Sequence, residues 1–165
     1  MTDATGLGMS ISEVFTVLDH LSAAGCRFWL EGGWGVDALM GHQTRPHRDL
    51  DVDIDAENES LALSVLAGLG YRVETDWRPN RVELMAPGRG WVDVHPLIID
   101  AEGNARQGAL DGGYHQLPRS YFVEGSLNAV AIPCVSPAAQ RAFRQGYELR
   151  DADKHDLALL DTLLG

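Results

Sequence analysis

Hydrophobic residues in this chain change their period several times, and each change marks an element. Val14, Val17, Leu18 and Leu21 recur at three- and four-residue spacing behind Ser10 and Glu13, which form a capping-box pair, and Gly25 follows them. This pattern predicts a loose tail, Met1 to Gly8, and then an amphipathic helix. Cys26 to Leu30 reads as a strand that runs into Gly32-Gly33, after which Trp34 to Met40 has a short helical pattern. From Asp49 to Asp55 the alternation is strict: Leu50, Val52 and Ile54 interleave with Asp49, Asp51, Asp53 and Asp55, the period of a half-buried strand with its carboxylates on one face. Helical spacing returns over Asn58 to Leu69 through Leu61, Val65, Leu66 and Leu69, with Gly70 as the stop, and Tyr71 to Thr75 is a strand. Arg81 to Met85 and Trp91 to Ile99 are extended runs joined by Ala86-Pro87-Gly88-Arg89-Gly90, which predicts a hairpin. In its second arm Trp91, Asp93 and His95 share one face while Val92 and Val94 share the other.

The stretch from Asp100 to Arg119 is rich in Gly and polar residues and is expected to be a long connection lining a substrate pocket. Ser120 to Val123 and Leu127 to Val135, divided by Glu124-Gly125-Ser126, predict a second hairpin. Ser136-Pro137 opens a helix over Ala138 to Tyr147, and the last helix, Asp153 to Leu164, places Leu157, Leu160 and Leu164 on one side. The fold class expected is α+β: a mixed sheet of about five strands flanked by helices, in one domain over residues 1–165, with residues 136–165 a small helical C-terminal segment.

The acidic strand carries the chemistry. Aspartate is depleted in strands and like charges on one face repel, so local preference opposes this arrangement unless a cation is expected there. Hard cations such as Mg2+ bind through one or two carboxylates together with substrate phosphate oxygens. The Gly-Gly turn before a helix supplies a plausible phosphate cradle, with backbone N–H groups and a favourable dipole. Each half has an ordinary alternative: Gly-Gly after a strand is commonly a turn, and an acidic face is commonly a solvated sheet edge. Their combination, separated by a loop carrying Arg45, His47 and Arg48, points to one site for metal and phosphate.

Composition narrows the partners. The net charge of −11 argues against nucleic acid as the main ligand, because phosphate backbones require clustered Lys and Arg; a cationic small substrate suits it better. Two cysteines without motif spacing, Cys26 and Cys134, read as free thiols in a reducing cytoplasm. No secretory signal and no run of 18 apolar residues is seen, so neither export nor a membrane span is expected. Self-association as a homodimer is left open.

The run GGWGVDALMGHQTRPHRDLDVDID, Gly32 to Asp55, resembles the Gly-Gly, then Asp-x-Asp signature of the DNA polymerase β-type nucleotidyltransferases. Within that superfamily it is similar to the short lincosamide nucleotidyltransferases and, more loosely, to the aminoglycoside 2''-adenylyltransferases. Gly-Gly-Trp, Asp37, Thr44-Arg45, His47 and the Asp pair match in spacing, and the likeness continues through WVDVHPL (Trp91 to Leu97) and IPCVSPAAQ (Ile132 to Gln140). The resemblance implies a polymerase β-like fold and an enzyme that uses ATP, or another nucleoside triphosphate, with Mg2+ as two ions. It assigns Asp49 and Asp51 to metal and makes Asp93 the third aspartate, a metal ligand or general base. Asp53 and Asp55 fall beyond the superfamily motif. Gly32, Gly33, Trp34 and Arg45 are the candidate nucleotide-binding residues, joined by Lys154, the sole lysine.

A hydroxyl of a small-molecule antibiotic, a lincosamide for preference, is then the expected acceptor, with an aminoglycoside as the alternative. His95, Trp91 and Tyr114 are its candidate contacts. Trp77, Trp91, Tyr114, Tyr121 and Phe122 lie in the second half of the chain, a mixture suited to a ligand with apolar and sugar-like parts. Two other classes stay open: nucleotidylation of a protein partner in a toxin–antitoxin system, and a non-catalytic binding module. Three aspartates available to converge argue against the last.

Overall fold

The protein is described by a computed structural model covering residues 8–163; the expected tail, apart from Gly8, and Leu164 lie outside these residues. Ser10 caps helix α1 (Ile11–Ala23) by accepting the Glu13 N–H at 3.1 Å. Val14, Val17, Leu18 and Leu21 are buried in one core with Leu50, Val52 and Ile54, so the helix periodicity and the strand alternation describe two sides of the same contact. Glu13 is itself buried and accepts two bonds from Arg89, at 2.9 and 3.0 Å, which ties α1 to the loop after Ala86.

Strand β1 (Phe28–Glu31) leads directly into α2 (Gly32–Met40), and β2 (Asp49–Asp55) returns antiparallel to β1. A short 3-10 turn, Ala56–Asn58, is capped by the Asp55 side chain and precedes α3 (Glu59–Gly68). Here Ala62 and Leu66 face the core whereas Leu61 is exposed, so the buried stripe lies one residue away from the one expected at the helix start. Strands β3 (Arg72–Trp77), β4 (Arg81–Ala86) and β5 (Gly90–Ile99) form an antiparallel meander. The β4–β5 hairpin turns where Pro87 and Gly88 were expected to turn it.

Asp100 to Arg119 is not a structureless connection. It contains a hairpin of β6 (Ala105–Gly108) and β7 (Tyr114–Leu117) that extends from the end of β5. Its strands, ARQG and YHQL, have too few apolar residues to show alternation. The last hairpin, β8 (Phe122–Leu127) with β9 (Val130–Val135), turns at Asn128-Ala129 and not at Glu124-Gly125-Ser126. Both turn residues have positive φ, 50° and 66°, the type I′ signature that matches strand twist. Gly125 is needed inside the strand instead, because a Cβ there would lie 2.8 Å from the Ala38 carbonyl carbon. Helix α4 (Pro137–Ala142), capped by Ser136, is shorter than the helix expected to reach Tyr147, and α5 (Asp151–Leu163) completes the described chain.

The sheet therefore has nine strands rather than about five, ordered β3-β4-β5-β2-β1-β9-β8, with β6 and β7 branching from β5. It is mixed: β2–β5 and β1–β9 are parallel and the other pairs antiparallel. This order sets β1, β2, β5 and β4 side by side, with β2 and β5 inside. No helix among the described residues is long and apolar enough to cross a membrane. Cys26 and Cys134 are both free and buried.

Candidate active site

Register brings the acids together. Glu31 pairs with Asp51, Asp51 with Asp93, and Asp93 with Glu83, so four carboxylates lie in one row across β1, β2, β5 and β4. Asp49 is two residues along β2, on the same side. The opposite faces of these strands carry Leu30, Leu50, Val52, Val92, Val94 and Leu84, all in the core, so the apolar packing fixes the direction of the acids. A one-residue slip of either central strand would bury charge and expose valine.

The row is electrostatically unequal. Burial, reinforced by Asp51, pushes the Asp49 carboxyl up to about 6, and burial likewise pushes Asp93 up to about 6. Burial acts the same way on Asp51, but the hydrogen bond and charge of His95, with Arg81 and Arg144, outweigh it and hold Asp51 below its ordinary value. His95 Nε2 stands 3.4 Å from Asp51 Oδ1 and 3.9 Å from Asp93 Oδ2. Against its own desolvation, Glu31, Asp51 and Asp93 push the imidazole up to about 9. Gln107 of β6 meets its other nitrogen at 3.2 Å, so the hairpin missed by sequence periodicity orients this ring. Arg81 donates to Asp93 Oδ2 and stacks on Trp77 with 4.1 Å between guanidinium and ring centroid. Asp93 Oδ1 is buried with no hydrogen-bond partner among the described residues.

One step further along β2, Asp53 is fully buried, and neither of its oxygens meets a hydrogen-bond partner among the described residues. Burial and the neighbouring Glu31 raise it well above the ordinary carboxylate range. Asp55 pairs with Arg27 at 3.3 Å and caps the following turn, so the acidic face ends in a structural role.

The Gly-Gly turn is shaped by close approach. Gly32 has φ 60°, and a Cβ on it would overlap the Asp51 carboxylate, with Cγ at 3.0 Å. A Cβ on Gly33 would overlap the His47 ring, 2.6 Å from Cε1, and lie 2.8 Å from Arg45 Nη2. The amino end of α2 is thus open backbone facing the loop before β2. That loop is held by Asp37, a fully buried carboxylate that accepts from Thr44 Oγ1 and from His47 Nε2, each at 2.5 Å. Trp34 is buried against His47, ring centroids 4.6 Å apart, and supports the site from beneath rather than facing a ligand.

Opposite the acidic row, the helical end supplies cations. Arg45 forms a fork with Asp156 of α5 at 3.0 and 2.8 Å, and Arg144 reaches Asp156 at 2.8 Å. Gln140 of α4 accepts from Arg144 and donates to the Gly32 carbonyl at 3.1 Å, so the C-terminal segment clamps the Gly-Gly turn. Between the two walls lies a cleft of about 510 Å3 lined by Gly32, Gly33, Arg45, Asp49, Asp51 and Asp93, among others. Its only aromatic linings among the described residues are Phe143 and Tyr147.

Of the residues expected from sequence, Gly32, Gly33, Arg45, Asp49, Asp51 and Asp93 meet in this cleft, and His95 stands against its carboxylates. Lys154 is exposed on α5 and does not line the cleft. Trp91 sits beneath Arg48 at 4.1 Å; Tyr114, on β7, lies half-exposed beneath Arg106 at 4.7 Å; neither lines the cleft. The aromatic residues of the second half disperse: Trp77 under Arg81, Tyr121 against Phe143, Phe122 against Trp29. Arg81, Glu31, Gln140 and Asp156 were not singled out from sequence. Alternation does place Arg81 and Glu83 on the side of Asp93, but Asp156 and Arg45 are 111 residues apart and no local pattern links them.

Oxygen donors of this kind fit a hard divalent cation, which would offset the repulsion by which Asp51 helps to raise the Asp49 carboxyl. Asp51, Asp93 and His95 have ligand atoms within 4.8 Å of one another, and Glu31, Asp53 and His95 form a second such group.

A mixed sheet that sets aspartates of two neighbouring strands beside a Gly-Gly helix entry defines a polymerase β-like nucleotidyltransferase. Residues 13–160 match the family described as aminoglycoside-2''-adenylyltransferase, and the chain belongs to that family. A lincosamide resistance protein of Staphylococcus haemolyticus is 36% identical over 151 residues, covering 92% of this chain and 94% of its own. The lincomycin-bound crystal structure of the lincosamide antibiotic adenylyltransferase LnuA superposes with a TM-score of 0.88 at 35% identity, covering 94% of this chain and 99% of that one. The solution structure of the antibiotic-resistance factor ANT(2'')-Ia shares the fold, with a TM-score of 0.75 at 19% identity, over all of this chain and 86% of its own.

Proposed function

We propose that the protein transfers a nucleoside monophosphate, AMP from ATP, to a hydroxyl of a lincosamide and releases pyrophosphate. The observation that carries this is the row of Asp51 and Asp93 beside the Gly32-Gly33 turn, in a chain whose near-full-length relatives are named for lincosamides. In the reaction the acceptor hydroxyl oxygen attacks the α-phosphorus. The bond from the α-phosphorus to the bridging oxygen breaks, pyrophosphate leaves with the electron pair, and the hydroxyl proton passes to a carboxylate. Asp93 suits that last part, being raised to about 6 with Oδ1 unpartnered among the described residues. Arg81 and His95 hold its other oxygen and the neighbouring Asp51, so the acceptor of the proton is fixed before substrate arrives.

Asp49 and Asp51 would hold Mg2+, which when bound supplies positive charge at the transferring phosphoryl group and leaves Asp93 Oδ1 to the proton. Gly32 and Gly33 let the Asp51 carboxylate, the His47 ring and the Arg45 guanidinium close on the amino end of α2, whose backbone N–H groups suit phosphate oxygens. Arg45, anchored by Asp156, contributes a fixed cation at that end. The net charge of −11 favours an amine-bearing acceptor of either antibiotic class, so the lincosamide preference rests on the relatives. Incubation with ATP, Mg2+ and lincomycin, with products resolved by mass, tests it: lincomycin carrying one added AMP supports the proposal, and unmodified drug beside an adenylylated aminoglycoside moves the acceptor to the other class.

A further inference from the structure

The cleft is lined mostly by charged groups, and Tyr147 is its exposed apolar surface. Only two rings stand among its described lining residues, and they are committed differently. Phe143 packs edge-on against Tyr121, ring centroids 6.1 Å apart, and joins the small apolar cluster of Leu97, Ala105 and Leu117. Tyr147, in the connection between α4 and α5, is 47% exposed and stacks on no ring or guanidinium among the described residues. Its hydroxyl donates to Asp153 Oδ1 at 3.1 Å, and the other oxygen of that buried carboxylate accepts the Arg150 N–H at 3.0 Å. The polar end of the ring is therefore tethered to α5, and its apolar body is left open on the cleft.

Connectivity of the nucleotide decides what arrives there. With the α-phosphorus at the Asp51–Asp93 row, pyrophosphate leaves toward the amino end of α2 and Arg45. The attacking hydroxyl approaches from the opposite side, in line, where Arg81 and Glu83 of β4 flank Asp93. Ribose and base hang from the α-phosphate off that line. The lining not yet used is the α4–α5 end: Phe143, Tyr147, Arg150 and Ala152. A nucleobase suits an open ring in such a place, because its planar face stacks on an aromatic side chain whatever its hydrogen-bonding edge.

We propose that Tyr147 is the nucleobase platform of this site, its ring stacking on the adenine of ATP while its hydroxyl stays on Asp153. This rests on the nucleotidyl-transfer function above, but not on the identity of the acceptor.

Binding without turnover tests it. Calorimetry on the whole chain with Mg2+ would measure three ligands separately: ATP, lincomycin, and inorganic tripolyphosphate, which keeps the phosphate chain and lacks ribose and base. Tyr147→Ala removes the ring; Tyr147→Phe keeps it and removes the hydroxyl. Tyr147→Ala is expected to weaken ATP by about 10-fold, the scale of one base stacked on an aromatic side chain, and to leave tripolyphosphate and lincomycin within about twofold. Tyr147→Phe is expected to hold ATP within about threefold of wild type, because the π face remains. Wild-type ATP affinity in the Ala variant overturns the proposal, as does a Phe variant that binds ATP as weakly as the Ala variant. So does an equal loss of ATP and tripolyphosphate, the mark of a phosphate contact or a merely structural residue. A loss confined to lincomycin overturns it too and gives the ring to the acceptor. If Tyr147→Ala does not fold, Tyr147→Leu, which keeps bulk without a π face, is read in its place. A wild-type protein that binds neither ATP nor tripolyphosphate overturns the nucleotidyl-transfer function together with this inference, whereas ATP binding with no lincomycin bound overturns the acceptor alone.

Discussion

Asp51 and Asp93 are register partners in the parallel pair of β2 and β5, with the His95 imidazole 3.4 Å from one carboxylate and 3.9 Å from the other. Two charges of the same sign are brought this close only because the valines between them are locked into the core on the opposite face. Asp51→Asn keeps size and packing and removes the charge. Turnover is expected to fall by about 1,000-fold or more, since a metal's share of transition-state stabilisation is several kcal/mol, while Tm stays within a few degrees. Pyrophosphate release measured across a Mg2+ titration checks this; near-wild-type turnover at saturating metal would remove β2 from the metal site.

Gly33→Ala is expected to weaken ATP through displacement of His47 and Arg45, whose atoms at 2.6 and 2.8 Å leave no room for a methyl group. The effect should be about 10-fold or greater in KM for ATP, with a smaller change in KM for the acceptor. Steady-state kinetics with each substrate varied in turn separates the two. Unchanged ATP kinetics would mean that the turn serves only to connect β1 with α2.

Lys154→Ala makes the opposite prediction. As the sole lysine it drew notice in the sequence, yet it is exposed on α5 and outside the cleft lining, so KM for ATP should stay within about twofold. A loss of 10-fold or more would show that α5 brings it over the nucleotide during turnover.

The metal and phosphate half of the site could be read from one continuous stretch because strand alternation and a Gly-Gly entry act over a few residues. Asp93 was accessible for the same reason, although its partnership with Asp51 is a matter of sheet register. The linkage of the cationic wall was not: Arg45 stood out beside the aspartates, but Arg45, Arg144 and Asp156 meet only after the chain has crossed the sheet and returned. Gly125 misled for a physical reason, since glycine both permits turns and permits close packing, and Ala38 demands the second here. The β6–β7 hairpin was hidden because its strands lie at the sheet's branching end, where few side chains need burial. Aromatic residues spread along the second half of the sequence carry no direction, and in the fold they disperse to separate Arg and ring contacts.

Asp156 links that wall to acid stability. Burial alone would raise its carboxyl, but hydrogen bonds and charge from Arg45 and Arg144 outweigh burial and hold it below the ordinary range. A carboxyl whose folded value lies below its unfolded value stabilises the fold above the unfolded value, about 3.9, and loses that contribution as pH falls through the folded one. Asp156→Asn should lower stability at pH 7 by about 3 kcal/mol, because it takes from the buried Arg144 its nearest carboxylate and leaves Asp153 at 3.9 Å. The gap between variant and wild type should begin to narrow below about pH 4, where the unfolded chain takes up the proton, and close only as pH falls through the lower folded value. Denaturant unfolding at pH 7 and pH 3.5 measures both; an equal gap at the two values would assign the loss to packing and not to charge.

The most direct measurement is competition at limiting enzyme: lincomycin and an aminoglycoside such as tobramycin, together with ATP and Mg2+, with the products resolved by mass. Nucleotidyl transfer to a lincosamide predicts that lincomycin gains one AMP, with higher kcat/KM than the aminoglycoside, in step with pyrophosphate release, and that Asp51→Asn abolishes both signals. Exclusive modification of the aminoglycoside would contradict the acceptor, and no modified drug of either class, with no pyrophosphate released, would contradict antibiotic nucleotidyl transfer itself.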